Sequence, residues 1–251
     1  MEPFVGMAYA LSRTTRLKVG TGVSVLPGRH PVLVAKQLAS LAGLAPGRVL
    51  PVFGLRPARL AELPLFPAPP GRRAALFDES LQLLRLVLEN DSVSFTGEFF
   101  TVENASIGPR PAKPLDIWLG GSAPGALRRI GRFGDGWLGS FITPAEADRA
   151  RAAIQEAAAA AGREVEADHF GVSLAVATEG IPPELIAAAR QRRPDADPAS
   201  LVAASWPDAR RMIEEYVAAG LSKFVIRPAA AQAPAARFLE KFVSEMLPLQ
   251  T

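Results

Sequence analysis

The amino-acid sequence predicts an α/β chain of repeated strand–helix units, of the TIM (β/α)8-barrel type. Three observations predict it. Short apolar runs alternate with amphipathic stretches almost throughout, the pattern of parallel strands joined by crossover helices. The length of 251 residues is typical of such a barrel. The apolar run Ile117-Trp118-Leu119 meets Gly120-Gly121-Ser122 and then a helix-like stretch, a strand-to-helix corner. The units number six strands, each followed by a helix, with one helix in front. On that count the barrel lacks its first strand, first helix and second strand.

The elements follow in order. Pro3 to Arg16 reads as a helix, and "RLKVGTGVSVL" as a strand opening into a loop at Pro27. "HPVLVAKQLASLAGL" is a helix with Pro31 in its first turn, where the missing N–H costs nothing. "GRVLPVFG" is the next strand. Pro57, Pro64, Pro67, Pro69 and Pro70 make the segment after it a long surface loop. "RRAALFDESLQLLRLVLEN" carries Leu76, Leu81, Leu84 and Leu88 at helical spacing. "SVSFTGEFFTVENASI" alternates about a Gly and reads as an inserted hairpin.

The second half repeats the pattern. Strand Asp116 to Gly120, helix Pro124 to Arg132 and strand Gly136 to Ser140 come first. Thr143, Pro144 and Glu146 form a capping box into an Ala-rich helix that ends near Gly162. "FGVSLAVAT" is a strand, and "PPELIAAARQRRPDADPAS" a helical insertion. "WPDARRMIEEYVAAG" is a helix, "KFVIRP" a strand, and "APAARFLEKFVSEML" the last helix. No linker splits the chain, so 1–251 reads as one domain with insertions near 57–72, 91–114 and 180–205.

Composition excludes several classes. No apolar run approaches the roughly 18 to 20 residues of a membrane span. The N-terminus has no basic region followed by a long apolar core, so no signal peptide is read there, and the default compartment is the cytoplasm. Without cysteine there is neither a disulfide framework nor a thiolate site. The net charge is +3, but the pairs Arg128-Arg129, Arg192-Arg193 and Arg210-Arg211 are interleaved with acids and read as solvated helix faces. Nucleic acid is not an expected partner. A basic chain still suits an anionic small ligand.

Ligands of parallel α/β folds sit at the carboxyl ends of strands, where Gly120-Gly121-Ser122 lies. A backbone without Cβ atoms lets N–H groups converge, and the helix behind it adds a positive partial charge. The motif is a phosphate cradle with Ser122 as hydroxyl donor, or a plain tight turn. Gly20 and Gly22 inside a strand suggest a bulge or close backbone approach. His30 reads as a helix cap, His169 as structural, and Asp135 as a turn acceptor for backbone N–H. Trp118 and Trp137 read as core. Two separated histidines and no cysteine argue against a zinc site, and no metal is expected. The nucleophile elbow and the Walker pattern are absent, and "GTGVSVLPG" matches the dinucleotide fingerprint poorly.

"WLGGSAPGALRRIGRFGDGW" resembles the phosphate-binding strand and helix of the luciferase-like monooxygenase family. "LKVGTGVSVLPGRHPVLVAKQLASLAGLAPGRVLPVFG" resembles that family's earlier signature more closely still. "FTGEFF", "TPAE" and "GLSKFVIRP" fit its deazaflavin-dependent branch. The resemblance implies an oxidoreductase that handles hydride between coenzyme F420 (8-hydroxy-5-deazaflavin) and an organic substrate. FMN is the alternative cofactor, with a monooxygenase activity; a non-catalytic relative is the third reading. It places the ring beside Gly22 and Val23, where the family often has a non-prolyl cis peptide, and flanks it with Gly54 and Leu55. Gly120, Gly121, Ser122, Ala123, Pro124 and Gly125 would take the phosphate.

The sequence departs from the family in two places. The family's first strand, first helix and second strand have no counterpart ahead of "EPFVGMAYAL", so its usual acid/base candidates are not assigned here. An open sheet of this kind is expected to make the chain a homo-oligomer, in the simplest case a dimer. In "PVFGLRP", Pro51 and Phe53 occupy glycine-type positions and Arg56 stands where some relatives place a Glu. Arg56 is either a partner for an anionic substrate or a solvated loop residue.

Overall fold

The computed structural model describes residues 1–177, 180–229 and 235–250. Helix α1 (Pro3–Ser12) starts where Glu2 accepts from the Val5 N–H at 2.9 Å, and its apolar face buries Phe4, Met7 and Leu11. It ends at Ser12, short of the expected Arg16, because Thr14 turns its hydroxyl back onto the Ala10 carbonyl. The first strand is two pieces, β1 (Val19–Gly20) and β2 (Ser24–Val25), and α2 follows (Pro31–Leu44). The second is likewise β3 (Val49–Leu50) and β4 (Val52–Gly54), divided at Pro51, which has no N–H for the ladder. The first break falls where Gly20 and Gly22 suggest a bulge.

The Pro-rich segment contains a short 3-10 turn, Leu60–Leu65, where only loop was expected. Helix α3 (Arg73–Glu89) leads to the antiparallel hairpin β5 (Val93–Thr96) and β6 (Thr101–Ala105). Next come β7 (Trp118–Gly120), α4 (Pro124–Phe133), β8 (Gly136–Ser140) and α5 (Pro144–Ala160). The capping box of α5 forms as expected, with Thr143 and Glu146 bonded reciprocally. Strand β7 starts at Trp118 and not at Asp116, because the Ile117 N–H is taken by the Asp135 carboxylate at 2.8 Å.

Strand β9 (Phe170–Val176) is followed by α6 (Pro183–Arg192), shorter than the helical insertion expected. The expected strand end at Thr178 lies outside the described residues, as do Ala233 and Pro234 of the last helix. A short strand β10 (Val202–Ala203), not expected, pairs with the carboxyl end of β9. Then follow α7 (Trp206–Ala218), β11 (Lys223–Pro228) and α8 (Ala235–Glu245).

The main sheet is parallel, with neighbours β2, β4, β7, β8, β9 and β11 in sequence order. Among the described residues the strands at its two ends are not paired with each other. Side chains alternate across it. Phe53, Leu119, Trp137, Val172 and Leu174 face the helices in the main core, against which Phe224 and Ile226 also pack. Val52, Trp118 and Leu138 form a small separate cluster on the other, inner face.

Candidate functional site

The break in the first strand is a built feature. The Thr21 hydroxyl donates to the Val52 carbonyl at 2.6 Å and accepts from the Val52 N–H at 2.9 Å. One buried side chain thus stands in for a ladder rung beside Pro51, whose carbonyl accepts from the Trp118 N–H at 3.0 Å. The peptide bond between Gly22 and Val23 is cis. Val23 projects onto the ends of the next strands. A Cβ on Gly54 would lie 2.5 Å from Val23 Cγ2, and one on Gly120 3.0 Å from Val23 Cγ1. Only glycine leaves room for this side chain, which is 39% exposed. The result is a ledge at the carboxyl ends of β4 and β7, beside the break in the first strand.

The loop beside the ledge is held open. Gly121 has φ +118°, a conformation that favours glycine, and a Cβ there would meet Ala126 Cβ at 2.9 Å. The indole N–H of Trp137 donates to the Gly121 carbonyl at 2.8 Å, which turns that oxygen toward the sheet. Among the described residues the amides of Ser122, Ala123 and Gly125 make no hydrogen bond, and Pro124 at the start of α4 has none to offer. Free N–H groups at a helix N-terminus favour an anion. A cleft of about 830 Å³ runs from Ser122 and Pro124 between α4 and α5, with Arg128, Arg149 and Arg193 along it.

The description of luciferase-like monooxygenases matches residues 1–220. The chain belongs to that family. An uncharacterised protein of Mycobacterium tuberculosis is 36% identical over 163 residues, 65% of this chain and 56% of that protein. An F420-dependent glucose-6-phosphate dehydrogenase of Nakamurella multipartita is 36% identical over 139 residues, 54% of this chain and 40% of the enzyme. These matches thus span about half the length of the relatives. An F420-dependent secondary alcohol dehydrogenase, solved with an F420–acetone adduct, superposes with a TM-score of 0.82 at 17% identity over 100% of this chain and 85% of its own. The fold is accordingly that of the luciferase-like TIM barrels.

In this luciferase-like protein Gly22, Val23, Gly54 and Gly120 meet at the ledge, and Gly121 to Gly125 form the adjoining loop. Leu55 is half-buried against the main core. Arg56 is exposed and has no carboxylate partner among the described residues. His30 occupies the N-cap position of α2 but makes no capping bond. Its ring stands edge-on to Phe100 at 5.4 Å instead, which corrects the reading of it as a cap.

The opposite end of the strands is structural. Asp135 does accept from a backbone N–H, as expected, and it also binds Arg85 at 2.6 Å and Arg163 at 2.8 Å. His169 Nδ1 lies 2.8 Å from the Asp135 carbonyl. Glu166, Asp168 and His169 bring ligand-type atoms within 4.8 Å of one another, yet Lys223 already pairs with Asp168 at 3.1 Å and holds its carboxyl below the usual range. Arg129, read as a solvated helix residue, is buried against Asp78 and the Phe77 ring.

Sequence reasoning missed a second polar group at the carboxyl ends. Phe141, just after β8, has φ +51°, and its carbonyl accepts from Arg193 at 3.0 Å. The guanidinium carbons of Arg192 and Arg227 lie 4.7 and 5.8 Å from the centre of its ring. The alternation in "KFVIRP" is the signal that would have found Arg227, since it sets Lys223, Val225 and Arg227 opposite the apolar Phe224 and Ile226.

Proposed function

We propose that this chain is an oxidoreductase that exchanges hydride between coenzyme F420 and an organic substrate. The observation that carries the reading is the ledge: Val23 seated on bare Gly54 and Gly120, beside a loop with unsatisfied amides. A planar ring needs an exposed apolar platform, which Val23 offers because Gly54 and Gly120 leave room for it, and a phosphate needs convergent N–H donors. The residues present fit both. Gly22, Val23, Gly54 and Leu55 would hold the ring, and Gly120 to Gly125 the phosphate, with the Ser122 hydroxyl as a further donor. The deazaflavin, when bound, supplies the hydride chemistry. The protein orients it: Trp137 fixes the loop through Gly121, and Thr21 fixes the bulge through Val52. The F420 dependence named for relatives supports this cofactor over FMN.

Titrating the purified protein separately with coenzyme F420 and with FMN, while following fluorescence, tests the reading. Saturable F420 binding at micromolar concentration or below, with FMN weaker, is the expected result. Preference for FMN would turn the reading to a monooxygenase, and binding of neither would leave a non-catalytic relative.

A further inference from the structure

We propose that Arg227 and Arg192, gathered around the ring of Phe141, hold an oxyanion of the organic substrate, a carboxylate or a phosphate, on the same face of the sheet as the glycine ledge. The proposal rests on the hydride-transfer reading for its substrate, though not for its anion.

The placement follows from strand periodicity. Phe224 and Ile226 pack into the core beneath the helices, so Val225 and Arg227 face the other way, with Leu138 and Trp118. Arg227 is in register with Ala175 near the carboxyl end of β9, and thus at the level where the strands open toward ligand. It is half-buried, and among the described residues no carboxylate pairs with it. Arg85, Arg129, Arg163 and Arg193, also at least partly buried, each have one. Burial and the nearby Arg192 both push the Arg227 pKa down, so its charge is held at a cost that a bound anion would offset.

The surroundings fix Arg192 and the Phe141 ring in place. Arg192 donates to the Ala58 carbonyl at 3.0 Å, tying the end of α6 to the segment after β4. Phe141 is held by Arg193, which Glu146 and Asp195 hold in turn. An aromatic face attracts a guanidinium and leaves its N–H edge free for an acceptor that presents two oxygens. Carboxylate and phosphate both offer that acceptor. Its residues, Phe141 just after β8, Arg192 at the end of α6 and Arg227 in β11, are distinct from those of the Gly120–Gly125 loop.

Calorimetric titration of the full chain with inorganic phosphate and, separately, acetate at low salt tests this, with coenzyme F420 present and absent. Saturable binding of at least one anion is expected, weakened tenfold or more in both Arg227→Met and Arg192→Met and unchanged in Arg211→Met. The stronger anion names the group. F420 affinity should stay within twofold in Arg227→Met. Binding of neither anion, or unchanged binding in folded Arg227→Met and Arg192→Met, overturns the proposal. So does an F420 affinity that falls in step with that of the anion. Anion binding that needs Arg227 in a chain that binds no F420 would support the clamp and refute the hydride-transfer reading alone.

Discussion

Trp137 points its indole N–H at the carbonyl of Gly121, so a core side chain of β8 sets the shape of the loop that follows β7. Trp137→Phe keeps most of the packing and removes the bond. A net hydrogen bond is worth about 1 kcal/mol. Affinity for F420 is expected to fall by roughly fivefold, read by fluorescence titration, with native circular dichroism. An unchanged affinity would show that the loop holds its shape without the indole.

Gly121→Asp should act more strongly. It adds a Cβ against Ala126, forces a side chain into φ +118° and sets a carboxylate where a phosphate is expected. A loss of at least about 1.4 kcal/mol, tenfold in F420 dissociation constant, is expected. Equal binding in a folded variant would remove the loop from the proposed site.

Gly54→Ala tests the ledge by overpacking. The new methyl meets Val23 Cγ2, and such strain costs about 1–3 kcal/mol. The melting temperature should drop, and Val23→Ala in the same chain should recover most of the loss. Absence of rescue would mean that the glycine is required by something other than Val23.

Asp135 accepts from Arg85, Arg163 and the Ile117 N–H, and its side chain is only 22% exposed. Asp135→Ala strands two cations and an amide, and should cost about 2–3 kcal/mol of stability. Chemical denaturation measures it. Cofactor affinity in the folded variant should change little, because the cluster lies at the opposite end of the strands.

Acid stability should depend on Glu146. The Arg193 guanidinium holds its carboxyl down at about 2, from an ordinary 4.5. A carboxyl lowered in the folded state contributes stability that is full above the unfolded pKa and is lost as pH falls through the folded value. The melting-temperature gap between the native protein and Glu146→Gln should therefore be constant above about pH 5 and close between 4.5 and 2. A gap that persists at pH 2 would assign the difference to packing.

Most of the helices and longer strands were legible in the sequence from their apolar runs and end signals. Strand Gly136–Ser140, the hairpin, and the capping box at Thr143 and Glu146 all follow from local patterns. Gly20 and Gly22 foreshadowed the break in the first strand, but the contacts that build the two breaks were not legible. They depend on the Thr21 hydroxyl reaching Val52, thirty-one positions away. The glycine loop was visible as composition, but the support from Trp137 was not, since an indole in a core strand looks the same with or without a partner. Arg192 and Arg227 meet at Phe141 only through the fold, and no local pattern brings together residues from β8, α6 and β11.

Each parallel strand of the main sheet lies beside the one that follows it in the chain, apart from the small β10 addition. Among the described residues, each of these strands after the first thus pairs with one already made, and the sheet can be laid down in order during synthesis at the ribosome. The longest interval falls between β4 and β7, where α3 and the hairpin intervene. Loop closure across that interval carries the largest entropic cost, although the cost grows only slowly with length. Joining β4 to β7 is the expected slow step of assembly. It is also the step that brings Gly54 and Gly120 together beneath Val23, so the ledge would be completed only once that step has passed.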